Sequence, residues 1–175
     1  MVPGHAVESV LFSTDYHRAE GRIDVLEQGA LVRSCRFVHT PATSALWVHC
    51  SVDRTTYVGD GKHGQVEHAD GRRFPAPGAT AIRDIPNWLL CPRTAPIWGR
   101  PGEDWDANTS RALPIRDGAV TLVLAATSRR QPSGSAEVAW PNGYLRQLDL
   151  GDEQYLLREL TWRPTHGPAH PYRPS

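Results

Sequence analysis

The sequence predicts an α+β protein that is mainly β: a strongly curved antiparallel sheet, closing to a half-barrel or barrel, with an N-terminal helix and a Pro/Trp-rich insertion. Three observations predict this class. Apolar and polar residues alternate with a period of two along most of the chain after residue 21. Turn-forming pairs that contain Gly, Asn or Asp separate the alternating runs. The 15 Gly and 15 Pro among 175 residues fit short strands joined by turns better than long helices.

The helix is predicted at the N-terminus. Val10 and Leu11 lie three and four positions after Val7, and Tyr16 lies five positions after Leu11, which favours an amphipathic helix that ends before Gly21.

Strands are predicted in two groups, on either side of the insertion. The first group is a meander over residues 21–74, and the second group begins after residue 110. An antiparallel sheet of about nine strands must curl to bury one face, which is why a barrel or half-barrel is expected. The alternating runs are GRIDVLEQG, ALVRSCRFVHT, SALWVHCSVD, TTYVG, GQVEHAD, ALPIRD, GAVTLVLAATS, GSAEVAWP, GYLRQLDL and EQYLLRELTW.

The domain organisation is predicted to be one curved-sheet domain over residues 1–163, followed by a Pro-rich tail over residues 164–175. Within the domain, residues 75–110 break the strand pattern with six prolines and carry three tryptophans. A long irregular insertion within one domain is usually functional, so we expect this one to cover the mouth of the sheet as a lid.

In layout the chain resembles the lipoprotein-carrier fold of the LolA kind, including actinobacterial relatives of unknown role. The segments that carry the resemblance are VESVLFSTDYHRAEGRIDV, TTYVGDGKHGQVEH and GSAEVAWPNGYLRQLDLGDEQYLLREL. The resemblance implies a helix before a curved antiparallel sheet, insertions at its mouth, and a concave apolar pocket. It is a likeness of pattern, so no functional residue of that family is carried over to this chain.

Composition and motifs exclude several classes of function. The 19 basic and 19 acidic residues balance, and no basic run exceeds two residues, so no nucleic-acid partner is expected. No apolar run is long enough to span a membrane. The start MVPGHAVESVLF lacks the pattern of a signal peptide, which predicts a cytoplasmic protein. No phosphate-binding Gly loop, GxSxG elbow or HExxH helix occurs, so no cofactor is expected.

A Cys–His pair is the first candidate for chemistry. If TPATS is a simple hairpin loop, Cys35 faces His49 and Phe37 faces Trp47 on the same side of the sheet. A thiol beside an imidazole can act as a nucleophile. Core packing is the more common role of such residues, and a shift of one residue would send His49 to the other face. The three cysteines predict neither a disulfide framework nor a zinc knuckle, because their number is odd and no CxxC occurs.

Acidic residues of the insertion are the second candidate for chemistry. In GEDWDANTS, Asp104 or Asp106 could serve as an acid or base if Trp105 desolvated it. Asp104, Asp106 and Asn108 also match the opening of a calcium loop, but the remaining ligand positions do not fit. A solvated acidic turn is the default interpretation, and no metal site is assigned.

The sequence therefore predicts binding of an apolar or aromatic small molecule in the concave face of the sheet. The alternatives are a cofactor-free enzyme (a cyclase, isomerase or hydrolase) that uses the same pocket, with His49, Cys35, Asp104 or Asp106 moving protons, and a module that binds a partner protein. The oligomeric state is left open, with a homodimer as one option. The predicted ligand-binding residues are Phe37, Trp47, Trp88, Trp98 and Trp105.

Overall fold

The computed structural model describes residues 1–11, 16–43, 45–60, 63–75, 105–126, 133–166 and 170–172. Within these ranges the chain forms one α-helix, one 3-10 turn and fourteen strands. The helix is α1 (Gly4–Leu11) and the 3-10 turn is Pro41–Thr43. The strands are β1 (Val2–Pro3), β2 (Tyr16–Glu27), β3 (Ala30–Thr40), β4 (Ala45–Cys50), β5 (Thr55–Gly59), β6 (Gly64–Glu67), β7 (Arg73–Pro75), β8 (Trp105–Ala107), β9 (Ala112–Leu113), β10 (Ala119–Ala126), β11 (Ser133–Ala139), β12 (Leu145–Asp149), β13 (Glu153–Pro164) and β14 (His170–Tyr172).

The strands form one large sheet and one small one. Eleven strands follow the order β7-β6-β5-β4-β3-β2-β13-β12-β11-β10-β8, β14 pairs with β13 beside this path, and β1 pairs with β9 separately. From β3 to β7, each strand pairs antiparallel with the next one along the chain, and so do β10, β11, β12 and β13. A mainly β antiparallel fold with an N-terminal helix is thus confirmed, as is the meander. Among the described strands the order is open, because β7 and β8 stand at opposite ends and do not pair, so the predicted closure into a barrel is not found there.

The chain divides into two compact units. The first unit comprises Met1–Ser13, Glu27–Gly29 and Pro86–Leu156, and the second comprises Thr14–Leu26, Ala30–Ile85 and Leu157–Ser175. Each unit is described by itself below.

The core of the first unit follows from strict alternation in β10. Val120, Leu122 and Leu124 are buried, while Thr121 and Val123 between them are exposed. Helix α1 contributes to the same core. Large side chains that are fully buried in this unit are Val7, Val120, Leu122, Leu124, Val138, Leu145, Leu148 and Tyr155. The helix also lies against the turn after β11, because a Cβ at Gly143 would collide with the Val10 carbonyl oxygen.

The core of the second unit is one face of the meander. Alternate residues of β2, β3 and β4 are buried on this face, and Tyr57 of β5, which pairs with Val48, is buried with them. Strands β2 and β13 approach closely at Gly21, where a Cβ would collide with the Glu159 carbonyl oxygen. We call this side of the sheet the buried face. Its members on β2, β3 and β4 are Ala19, Ile23, Val25, Cys35, Phe37, His39, Leu46, Val48 and Cys50.

The N-terminal helix is shorter than predicted. It ends at Leu11, and β2 begins at Tyr16, whereas the spacing of the apolar residues predicts a helix that ends just before Gly21. The physical reason lies in β2, where Ala19, Ile23 and Val25 are all buried on one face. Period-two burial thus extends upstream of Gly21, and pairing within the sheet overrides the weak helical spacing of this segment.

Parts of the predicted insertion and tail are strands. Trp105–Ala107 forms β8 at one end of the sheet order, paired with β10, and His170–Tyr172 forms β14, paired with β13. The remainder of the insertion, residues 76–104, lies outside the described residues.

Candidate functional site

The pairing of β3 with β4 differs from the predicted register by one residue. Cys35 faces Cys50 and not His49, and Phe37 faces Val48 and not Trp47. The loop is the cause. Thr40 stays in the strand and pairs with Ala45, so the hairpin loop is one residue shorter than TPATS. The proposed contact between Cys35 and His49 is therefore wrong, because the two side chains lie on opposite faces of the sheet.

The residues on the side of the sheet opposite the buried face form a compact group, which we call the Trp47 face. Pairing across β3, β4 and β5 places them in two rows on this side. One row is Arg36, His49 and Thr56, and the other is Val38, Trp47 and Val58. Trp47 and His49 are partly exposed, and Val58 keeps 55% of its surface exposed. This side of the second unit is accessible where the buried face is not.

Trp47 and His49 hold a fixed mutual geometry. Their rings are stacked, with centroids 6.1 Å apart and planes inclined by 16°. His49 is held from the next strand, since its Nδ1 lies 2.8 Å from the Thr56 hydroxyl oxygen. Among the described residues this is the only hydrogen bond of the imidazole, and Nε2 is left for another partner. The two rings are therefore held nearly parallel on the partly exposed side of the hairpin.

Arg36 adds a cation to this surface. It lies directly opposite His49 in the register and its side chain is exposed. Within the part of the chain that the structure describes, Arg36 forms no ion pair. A guanidinium in this situation can pair with an incoming carboxylate or sulfonate.

A satisfied polar cluster lies next to the Trp47 face. Asp24 on β2 is buried, and its carboxylate accepts hydrogen bonds from the Ser34 hydroxyl at 2.7 Å and from Arg158 Nε at 2.9 Å. Ser34 is two residues before Arg36 on β3, so the cluster and the Trp47 face share one side of that strand. The cluster joins β2, β3 and β13, and its role is to fix their relative positions.

This role gives a testable expectation. We expect Asp24→Asn to lower the free energy of unfolding by about 1–3 kcal/mol, because the hydrogen bonds to a charged carboxylate are weakened while the volume is kept. Urea unfolding followed by circular dichroism measures the change. Glu159→Gln is the matched control, since its 3.9 Å pair with Arg22 joins two exposed side chains and should contribute under about 1 kcal/mol. Equal effects of the two substitutions would contradict the structural role of Asp24.

His39 and Tyr57 are titratable groups on the buried face that the sequence pattern does not indicate. Burial lowers the pKa of His39 to about 4, so this imidazole is neutral at ordinary pH. Burial, with a contribution from Asp60, raises the pKa of the Tyr57 hydroxyl. Both groups are neutral polar points within an apolar layer.

The other predicted site residues are not brought to the Trp47 face. Phe37 is buried on the opposite side of the sheet. Asp106 is exposed in β8 of the first unit, so burial does not desolvate it as an acid–base role requires. Asn108 Oδ1 accepts hydrogen bonds from the backbone and hydroxyl of Ser110, which is an ordinary turn. Trp88, Trp98, Asp104 and the side chain of Trp105 lie outside the described residues.

The described residues lack two features that would indicate a class of site. They contain no group of three or more His, Cys, Asp or Glu side chains placed to hold a metal ion. Nor do they include a helix that is long and apolar enough to cross a membrane.

Comparison with known proteins shows the fold and no family. No protein-family model matches the chain, and no curated protein matches it. An uncharacterized conserved protein from Thermus thermophilus is similar in structure, with a TM-score of 0.54 and 10% identity over 93% of this chain and 86% of that one. This similarity shows a shared fold.

Two further structures are similar at lower scores. MucB aligns with a TM-score of 0.48 and 15% identity, over 95% of this chain but only 60% of MucB. A domain from Vibrio parahaemolyticus, named for outer membrane lipoprotein sorting, aligns with a TM-score of 0.37 and 6% identity, over 91% of this chain and 76% of that one. A lipoprotein-sorting domain is thus among the structures that the chain resembles, and we draw no functional conclusion from either alignment.

Proposed function

We propose that this chain binds a flat aromatic or apolar small molecule on the Trp47 face of its second unit. The observation that carries the proposal is the partly exposed stack of Trp47 on His49, fixed from β5 by Thr56. Large aromatic rings supply much contact area at low cost in side-chain entropy when their orientation is already set.

The apolar row beside the stack supports an apolar ligand. Val38, Trp47 and Val58 lie side by side across three strands, and Val58 is more than half exposed. Single exposed apolar residues are ordinary, but a contiguous row that includes a tryptophan is the kind of surface that ligands and partners cover. A ring laid on Trp47 would cover Val58 as well.

The polar row narrows the class of ligand. Arg36 and His49 Nε2 lie along one edge of the apolar row, where they could contact an anionic or hydrogen-bond-accepting group. The ligand class that fits both rows is a planar aromatic molecule with a carboxylate, sulfonate or similar group.

The proposal rests on the Trp47 face alone, which lies within the second unit. A binder needs only such a surface, whereas the Cys–His arrangement of the enzymatic alternative is absent from it, because Cys35 lies on the buried face.

Binding of anilinonaphthalene sulfonate, a fluorescent aromatic anion, tests the proposal. We expect Trp47→Ala to weaken binding about tenfold, which corresponds to about 1.4 kcal/mol of aromatic contact. We expect Arg36→Ala to weaken binding and to reduce its dependence on salt. Dye titrations at two ionic strengths measure both effects, with circular dichroism to show that each variant is folded.

Two valines provide the matched control. Val58 and Val123 are each 55% exposed on a strand, the first on the Trp47 face and the second in the first unit. Val58→Asp should abolish dye binding, and Val123→Asp should leave it unchanged. Equal losses from the two substitutions, or full binding by Trp47→Ala, would show that the dye binds elsewhere and would overturn the proposal.

A further inference from the structure

Cys35 and Cys50 are cross-strand partners in the core of the second unit. They are paired in the register of β3 and β4, both thiols are free, and their Sγ atoms are in contact at 2.6 Å. Cys35 is fully buried and Cys50 is 8% exposed. The third cysteine, Cys91, lies outside the described residues. Two of the three cysteines are therefore neighbours in the fold, although their number is odd.

The backbone at this pair suits a covalent bridge. The amide of Ser51 donates a hydrogen bond to the Ser34 carbonyl, so Ser34 and Ser51 form a hydrogen-bonded pair and the adjacent pair, Cys35 with Cys50, is the non-hydrogen-bonded kind. In such pairs the Cα atoms lie about 4.5 Å apart and the side chains approach most closely. Disulfides span Cα separations of about 4.4–6.8 Å, so the two strands need not move apart or together for a bond to form.

We propose that Cys35 and Cys50 are a dithiol–disulfide redox site that is oxidised by exchange with a low-molecular-weight disulfide. The site is independent of ligand binding on the Trp47 face.

Position assigns the two cysteines different roles, because Cys50 is 8% exposed at the end of β4 and Cys35 is fully buried. The hydrogen bond with Cys35 lowers the pKa of the Cys50 thiol, and the same bond, together with burial, raises the pKa of Cys35. Cys50 is therefore the group that ionises first, and the thiolate is the species that attacks a disulfide.

The reaction proceeds in two exchanges. The Cys50 thiolate attacks one sulfur of the external disulfide, forms a mixed disulfide and releases one thiolate, which takes up the proton lost by Cys50. Cys35 then loses its proton, attacks Cys50 Sγ and expels the second thiolate, which is protonated in turn. Overall, two protein thiols and one external disulfide become one protein disulfide and two external thiols.

Access to the pair is from the Cys50 side. Cys50 is the last residue of β4, and the turn that follows it, residues 51–54, is exposed throughout. A small opening of this turn uncovers Cys50 Sγ while Cys35 stays within the core. A low-molecular-weight disulfide therefore reaches Cys50 first.

The test uses the full chain with Cys91→Ser, so that only the pair can react. The folded protein is equilibrated in mixtures of reduced and oxidised glutathione, quenched with acid, alkylated with a maleimide and weighed intact. We expect two maleimide adducts in the reduced protein and none in the oxidised protein, with a peptide map that joins Cys35 to Cys50. Because the bridge closes a loop between residues 15 apart in sequence, we also expect oxidation to raise the melting temperature by roughly 5–10 °C.

Single-cysteine variants test the assigned order. In the Cys91→Ser background, Cys35→Ala should accumulate a glutathione mixed disulfide at Cys50, and Cys50→Ala should leave Cys35 unmodified while the protein is folded. A folded protein that keeps both alkylatable thiols in excess oxidised glutathione would overturn the proposal. A mixed disulfide that forms mainly at Cys35 would overturn the assigned roles.

Discussion

We expect Phe37→Ala to lower the free energy of unfolding by about 3–5 kcal/mol. Phe37 is among the largest fully buried side chains of the described residues and faces Val48 in the core of the second unit. Removal of the ring leaves a cavity that the paired strands cannot close. Urea unfolding monitored by circular dichroism gives the change in free energy.

Trp47→Ala is the informative comparison, because the two aromatic residues lie on opposite faces of the hairpin. Trp47 is partly exposed, so we expect its removal to cost about 1 kcal/mol, within the usual range for a substitution outside the core. A cost for Trp47→Ala equal to that for Phe37→Ala would place both rings in one core, which is the arrangement predicted from the sequence, and would contradict the observed register.

Acidification is expected to destabilise the protein through His39. This imidazole is 4% exposed, and burial lowers its pKa from 6.5 to about 4. Between these two values the unfolded chain binds a proton that the folded chain does not, so stability falls as the pH falls through this window. Above pH 6.5, His39 is neutral in both states and does not lower the free energy of unfolding. A pKa shift of this size lowers the free energy of unfolding by about 3 kcal/mol when the pH reaches 4.

Comparison with a His39→Asn variant separates the pH dependence due to His39 from that due to the carboxylates, which both proteins share. His39→Asn keeps a neutral polar side chain with no titration in this range. The free energy of unfolding is measured for both proteins at several pH values between 4 and 7. The difference between the two profiles should change by about 3 kcal/mol, and parallel profiles would show that His39 titrates alike in the folded and unfolded states.

Many of the strands could be predicted from the sequence, because strand pairing between neighbours leaves a local signature. Alternation in ALVRSCRFVHT and GAVTLVLAATS marks one buried and one open face, and both segments form strands. The turns after β11 and β12 were also predicted, and they contain Gly143 and Gly151 with positive φ angles of 79° and 86°, a conformation that glycine adopts at little cost.

The faces of β4 could not be predicted with the same security, because they depend on the length of a single loop. Whether Thr40 belongs to the strand or to the turn moves every partner by one position and exchanges the two faces. His49 thereby leaves the buried side, and Cys50 takes its place opposite Cys35. The alternation of SALWVHC is equally regular in both registers, so no local signal distinguishes them.

The candidate site was therefore predicted in part. Trp47 and His49 were both predicted as site residues, and in the structure their rings are stacked. The sequence predicted Phe37 and Cys35 as their cross-strand neighbours, whereas the observed neighbours are Val38 and Arg36. The bond between Asp24 and Arg158 joins residues 134 positions apart. The hydrophobic periodicity of a sequence does not show which strands pair when they are this far apart along the chain, so this bond could not be predicted. His39 was missed because a lone histidine in an alternating strand does not reveal its burial.

The two ends of the strand order have a consequence for aggregation. Among the strands that the structure describes, β7 and β8 stand at these ends, and each is three residues long. In β7, Arg73 is ion-paired with Glu67 and Pro75 has no amide hydrogen to donate. An edge this short, with a charge and a proline, offers another polypeptide few backbone groups to join. The β7 edge is thus a poor template for fibrils, and variants that extend it with alternating apolar residues should be the first to self-associate.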